Sequence, residues 1–134
     1  MPAHFLATLP NFLAYLGTAI TLLAVFVTIY LYVTPYHEIA LIRANNVAAA
    51  ISFSGALLGF AMPIANVIAH SDTLLDLAVW GIVAGIVQLL AWGVARVALP
   101  RLEKEIAAGR AASAVFVAAL SITVGLLNAA CMTY

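Results

Sequence analysis

The stretch Val47 to Ala69, VAAAISFSGALLGFAMPIANVIA, decides the fold. It contains no Asp, Glu, Lys or Arg, and it is long enough to cross roughly 30 Å of hydrocarbon as a helix of about 20 residues. Backbone N–H and C=O groups find no water inside a bilayer, so such a run must satisfy them within itself. Its Ile and Val residues therefore do not argue for strands. Ser52, Gly55, Gly59, Met62 and Asn66 recur at heptad-like spacing and fall on one face of that helix.

Three more runs of the same kind lie on either side: Phe12 to Val33, Leu74 to Val97 and Ala111 to Met132. Composition agrees, since 66% of the residues are hydrophobic, 7% are charged and the mean hydropathy is +1.17. That leaves too little polar surface for a water-soluble domain. The expected fold is all-α and integral to the membrane, with four transmembrane helices and the lipid bilayer as its solvent. A net charge of zero with five basic residues excludes nucleic acid as a partner. Cys131 stands alone, so it forms neither an intrachain disulfide nor a metal site and reads as a small apolar residue near a helix end. The first run has no Lys or Arg before it and exceeds the core of a secretory leader, so Met1 to Tyr32 are expected to stay in the mature protein.

Basic residues set the expected orientation. Arg43 lies between the first two runs, and Arg101, Lys104 and Arg110 lie between the last two, with Arg96 at the border. The N-terminus, the His70 to Thr73 turn and the C-terminus carry no Lys or Arg. Under the positive-inside rule both termini face out and both longer connections are cytoplasmic. Tyr30, Tyr32 and Tyr36 then belong to an aromatic belt at the inner interface, with Trp92 deeper on that side, and Arg96 snorkels to the headgroups.

The two basic connections resemble each other. Each starts with a proline, Pro35 or Pro100, and mixes charges with aliphatics: Glu38, Ile39, Leu41, Ile42 and Arg43 in one, Leu102, Glu103, Lys104, Glu105 and Ile106 in the other. Each is expected to form a short amphipathic helix in the headgroup region, with proline in its first turn and, in the second, Arg101 and Glu105 paired at i,i+4. The likeness divides the single membrane domain 1–134 into two-helix units, 1–69 and 70–134. Two crossings return the chain to its starting side, so these units are expected to be parallel repeats about an axis along the membrane normal.

Every run carries a stripe of small or polar residues. Besides the stripe of the second run, these are Ala14, Gly17, Thr21, Ala24 and Thr28; Gly81, Gly85, Gln88, Trp92 and Ala95; and Ala114, Ala118, Ser121, Gly125 and Asn128. Small residues let helices approach closely in lipid, and amides and hydroxyls bond across them. Gly55, Gly59, Gly81, Gly85, Ser121 and Gly125 are therefore expected to form helix-packing or oligomer faces. Thr21, Ser52, Asn66, Gln88 and Asn128 have two readings, as a polar path for a solute or as interhelical hydrogen bonds. Pro63 frees one carbonyl of its helix, which either lines a cavity or adjusts packing.

Catalysis finds no support. His4, His37 and His70 are scattered without ligand spacing, and no phosphate loop, nucleophile elbow or intramembrane carboxylate pair is present. No enzyme activity and no cofactor are expected. Proton-coupled transport is disfavoured, because Asp72 and Asp76 lie in or beside a turn at the membrane edge, Asp76 in the first turn of the third helix.

Three segments, Ser54 to Ile64 (SGALLGFAMPI), Trp80 to Leu90 and Gly125 to Tyr134 (GLLNAACMTY), resemble the bacterial domain of unknown function 350 family, the YjfL-like inner-membrane proteins. The resemblance covers nearly the whole chain and implies tandem two-helix units in the inner membrane, with no catalytic residues to transfer. It also implies, through gene neighbourhood, an association with membrane-stress proteins of the phage-shock type. The expected function is assembly, as a homo-oligomer or with a cytoplasmic membrane-stress protein. The alternatives are a small channel for a neutral or weakly charged solute, and an anchor whose segments Tyr36 to Asn46 and Arg101 to Arg110 recruit a soluble protein.

Overall fold

A computed structural model describes residues 2–132, with side chains from Phe5 onward. Met1, the His4 side chain, Thr133 and Tyr134 lie outside the described residues. The order is α1 (Pro2–Val33), α2 (Glu38–Arg43), α3 (Val47–His70), α4 (Leu74–Ala98), α5 (Leu102–Ala107) and α6 (Ala111–Cys131). α1, α3, α4 and α6 are each long and apolar enough to cross a membrane, as the hydropathy predicts. Their bounds match the expected runs to within a residue or two, except that α1 starts ten residues before Phe12 and passes through Pro10. Proline removes one intrahelical bond, here from an exposed first part of the helix.

Side chains set the other helix ends. Asn46 Oδ1 accepts from the Ala49 N–H at 3.0 Å to cap α3, and Thr73 Oγ1 accepts from the Asp76 N–H at 3.1 Å to cap α4. Asp76 sits in the first turn of α4, where a negative charge meets the positive end of the dipole.

The basic connections do fold as short helices, though both prolines precede them instead of entering their first turn. Each short helix ends in the same motif. The Asn45 and Asn46 N–H groups donate to Ile42 and Leu41 carbonyls, and the Gly109 and Arg110 N–H groups donate to Ile106 and Glu105 carbonyls. Asn45 and Gly109 take the left-handed conformation that this helix stop requires, at φ 67° and 80°. The pattern recurs at a step of 64 residues, from Asn45 to Gly109.

α3 is the hub. It packs most extensively on α6, which runs parallel to it, then on α4, and it also touches α1, α2 and α5. α1 packs mainly on α4 and less on α3. Phe5, Leu6, Phe12, Leu13, Ile20 and Val25 of α1 stay exposed, as do Leu58, Leu90, Val97 and Leu126 on the other long helices. A surface of this kind suits hydrocarbon.

Candidate functional site

The small-residue stripes meet different fates. A Cβ built on Gly55 would enter the Ala118 backbone, and one on Gly125 would enter the backbone of Gly59. Glycine at these positions thus lets the α3 and α6 backbones touch, with Ser121 beside Gly59. Gly81 receives the Leu22 side chain of α1, and Gly85 lies 3.6 Å, measured from a built Cβ, from Phe26 and Phe60. All six expected packing residues therefore face neighbours within the chain. Gly17 is different, since nothing lies within 4 Å of a Cβ placed there, and Thr21, Ala24 and Thr28 are exposed beside it. The Thr21 and Thr28 hydroxyls donate to their own helix, to the Gly17 and Ala24 carbonyls at 2.8 Å.

The five polar-path candidates do not converge on one lumen. Thr21 faces away from the bundle, whereas Ser52 and Gln88 are buried within it. Gln88 Nε2 donates at 3.2 Å to the Gly59 carbonyl. Pro63, four residues on, has no N–H to give that carbonyl, so the amide of α4 replaces the bond that proline removes from α3. Asn66 Nδ2 donates at 2.9 Å to the Ala129 carbonyl in the last turn of α6, and Asn128 Nδ2 is buried nearby in sequence without a hydrogen bond.

The basic side chains mark one end of the bundle. Arg96 lies 5.5 Å from the centre of the Trp92 ring and pairs with Glu103. Arg110 pairs with Glu105 at 3.4 Å, in place of the expected Arg101, which precedes the first turn of α5. Arg43, Arg101 and Lys104 are exposed. Asn46 joins the two connections by donating to the Ile106 carbonyl at 3.0 Å.

Inside that end lies a site that sequence reasoning missed. Of the expected aromatic belt only Tyr32 projects outward, at 91% exposure, while Tyr30, Tyr36 and Trp92 turn inward. Tyr30 and Tyr36 lie close to the charge of Glu38, which is 1% exposed although a headgroup-facing helix is expected there. The Tyr36 hydroxyl lies among Trp92, Ser52 and Tyr30. Phe26 stacks on Phe60 at 4.4 Å below the cluster, and Phe53 flanks Tyr30. Burial pushes the Glu38 carboxyl up to about 7, with the Thr34 hydroxyl acting in the opposite sense. Burial, followed by the Glu38 charge, also raises Tyr36. The one available sequence signal was the concentration of Tyr30, Tyr36 and Trp92 around a lone acid at the start of a short helix.

The family model for Domain of Unknown Function (DUF350) matches residues 4–132. The chain is 34% identical over 131 residues to the UPF0719 inner membrane protein YjfL of Escherichia coli K12, covering 98% of this chain and 99% of that one. The protein of the same name from Escherichia coli O157:H7 matches equally. No solved structure matches the chain.

Proposed function

The chain belongs to the DUF350 family, and on that premise we propose that it is an inner-membrane protein that works by self-assembly, with the small-residue face of α1 as the contact between copies. The observation that carries this reading is the outward stripe of Gly17, Thr21, Ala24 and Thr28. On the other three long helices the matching residues are largely taken up by packing inside the chain. Helices gain nothing in lipid by burying Leu against Leu, so a small-residue face with its hydroxyls already bonded to the backbone suits close approach by another helix. The inner-membrane location rests on the related YjfL proteins.

The same proposal places both termini outside and the basic end in the cytoplasm, supported by the five-to-none distribution of Lys and Arg. It treats 1–69 and 70–134 as two parallel units, supported by the turn motif that recurs after 64 residues.

The test of assembly is the native mass of the detergent-extracted chain with and without Gly17→Leu and Ala24→Leu. A discrete oligomer that both substitutions reduce to a folded monomer is the expected result; a wild-type monomer would overturn it. Orientation is read with a membrane-impermeant maleimide on Cys131→Ala backgrounds. Asp72→Cys should label from outside and Ala108→Cys only after the membrane is opened; the reverse would invert the topology.

A further inference from the structure

We propose that Glu38, buried beside Tyr30 and Tyr36, forms a proton-binding site at the basic end, which takes up and releases a proton at the adjoining aqueous face. This site is independent of the α1 contact surface.

The geometry comes first. Both carboxyl oxygens of Glu38 are buried without a well-formed hydrogen bond, the Thr34 hydroxyl being the polar group that acts on them, and Tyr30 Oη, Tyr36 Oη and Trp92 Nε1 are buried without one as well. A buried carboxylate without a cation beside it costs several kcal/mol, and taking up a proton removes that cost. Among the described residues, no cation is paired with it. Beside it, α1 contributes Tyr30 and the α1–α2 link contributes Thr34 and Tyr36, whose hydroxyl in turn faces Ser52 of α3 and Trp92 of α4. Among the charged groups of this end, Arg96 is engaged with Glu103, while Arg43 and Lys104 point outward and are exposed. Desolvation is accordingly the leading cause of the raised carboxyl, and no neighbouring charge contributes to it.

Openings to solvent lie beside the site. An open groove of about 480 Å³ between α2 and α5 is lined by Tyr36, His37, Glu103 and Lys104 among others. A second concavity, on the other flank of α2, is lined by His37, Glu38 and Arg43. Tyr36 thus borders a solvent groove while its hydroxyl lies in the cluster, and the exposed His37 borders both openings. The step balances simply: the Glu38 O–H bond breaks, its electron pair stays on the carboxylate, and the proton passes to water in the groove.

Desolvation of this acid is tied to the docking of α2, which leads with Glu38 and rests on α3. Ionisation therefore weakens the hold of α2 on the bundle, and protonation strengthens it.

The test is infrared difference spectroscopy on the full chain in lipid vesicles from pH 5 to pH 9. A protonated-carboxyl band should be present at pH 6, fade with a midpoint near 7, and be missing in Glu38→Gln. Thr34→Val retains the acid but removes the hydroxyl that favours its charged form, so the midpoint should rise by about half a unit. This readout does not depend on how well Glu38→Gln folds, and a merely structural threonine would leave it unmoved. A wild-type spectrum without the band at pH 6, or with the band unchanged at pH 9, would overturn the proposal. So would a midpoint that follows sodium concentration at constant ionic strength, which would assign the site to a metal cation.

Discussion

α1 and α3 carry stripes of small and polar residues at the same spacing, yet α3 spends its stripe inside the chain and α1 turns its own away. The reason lies in what each helix meets. α3 meets α6, whose Ala118, Ser121 and Gly125 are as small as Gly55 and Gly59, and two such faces bring backbone to backbone. α1 meets α4, where Gly81 makes a hollow that receives Leu22 and Gly85 faces Phe26. Large residues fitting such hollows gain more contact than a second small face would offer. α1 therefore docks by Tyr15, Ala19, Leu22, Phe26 and Tyr30, and its small face is left outside. A stripe of small residues declares that something comes close, and the partner's own surface decides what that is.

The largest effect that could break this contrast is steric. Gly125→Leu puts a side chain into the backbone of α3, which cannot move aside as a side chain can, and the folded state should be lost. Gly17→Leu meets nothing within the chain and should leave helicity and thermal stability within about 0.5 kcal/mol of wild type while abolishing the oligomer. Circular dichroism melts in detergent, paired with native mass, separate the two outcomes. If Gly125→Leu folds normally, α3 and α6 do not touch as described. If Gly17→Leu unfolds, the outer face of α1 is not free.

The next effect concerns how firmly the basic end is held. The Glu38 carboxyl goes from an ordinary 4.5 to about 7 on folding, so the native state binds the extra proton. Stability from this group is complete below about pH 4.5, declines as pH rises through 7, and is gone above it. The range of that decline corresponds to roughly 3 kcal/mol. Glu38→Gln should flatten the profile and gain on wild type by up to that amount at pH 8, measured as denaturant midpoints at pH 5 and pH 8. α1 is thinly packed and enters this cluster through Tyr30, so its protection from hydrogen exchange should fall with rising pH more than that of α3. An equal fall in both helices would show that the carboxyl does not anchor α1 selectively.

Much of this was legible in the sequence, because hydropathy counts and helix-ending chemistry are local. α3, α4 and α6 could be bounded closely. The start of α1 was not, since hydropathy locates hydrocarbon and a helix continues past it, here through Pro10. A lone acid beside Ile39 and Leu41 has the pattern of a headgroup charge, so the local sequence does not mark Glu38 as buried. Its burial goes with tertiary packing, where Tyr30 of α1 and Tyr36 lie beside it and the Tyr36 hydroxyl meets Ser52 of α3 and Trp92 of α4. Nor could the spacing of glycines reveal that Gly59 meets α6 while Gly17 meets nothing, for that depends on tertiary contact.

The smallest expected effect tests the α3 side of the comparison at a single bond. Gln88→Leu removes the donor to the Gly59 carbonyl, and in lipid such a bond is worth about 1 kcal/mol or less. Part of that loss is offset, because Gln88 Oε1 is itself buried without a partner and Leu removes it too. The cost should depend on Pro63. Pro63→Ala restores an N–H four residues after Gly59, giving the carbonyl a donor within its own helix. In that background Gln88→Leu should cost less, and the coupling energy of the double-mutant cycle, read from unfolding in mixed micelles, should be about 0.5 kcal/mol. Additive effects would mean that the amide serves α4 alone. Coupling would mean that α3 leaves its bond open at Pro63 for α4 to complete. α1 needs no such help, because the carbonyl that Pro10 frees belongs to the exposed Leu6.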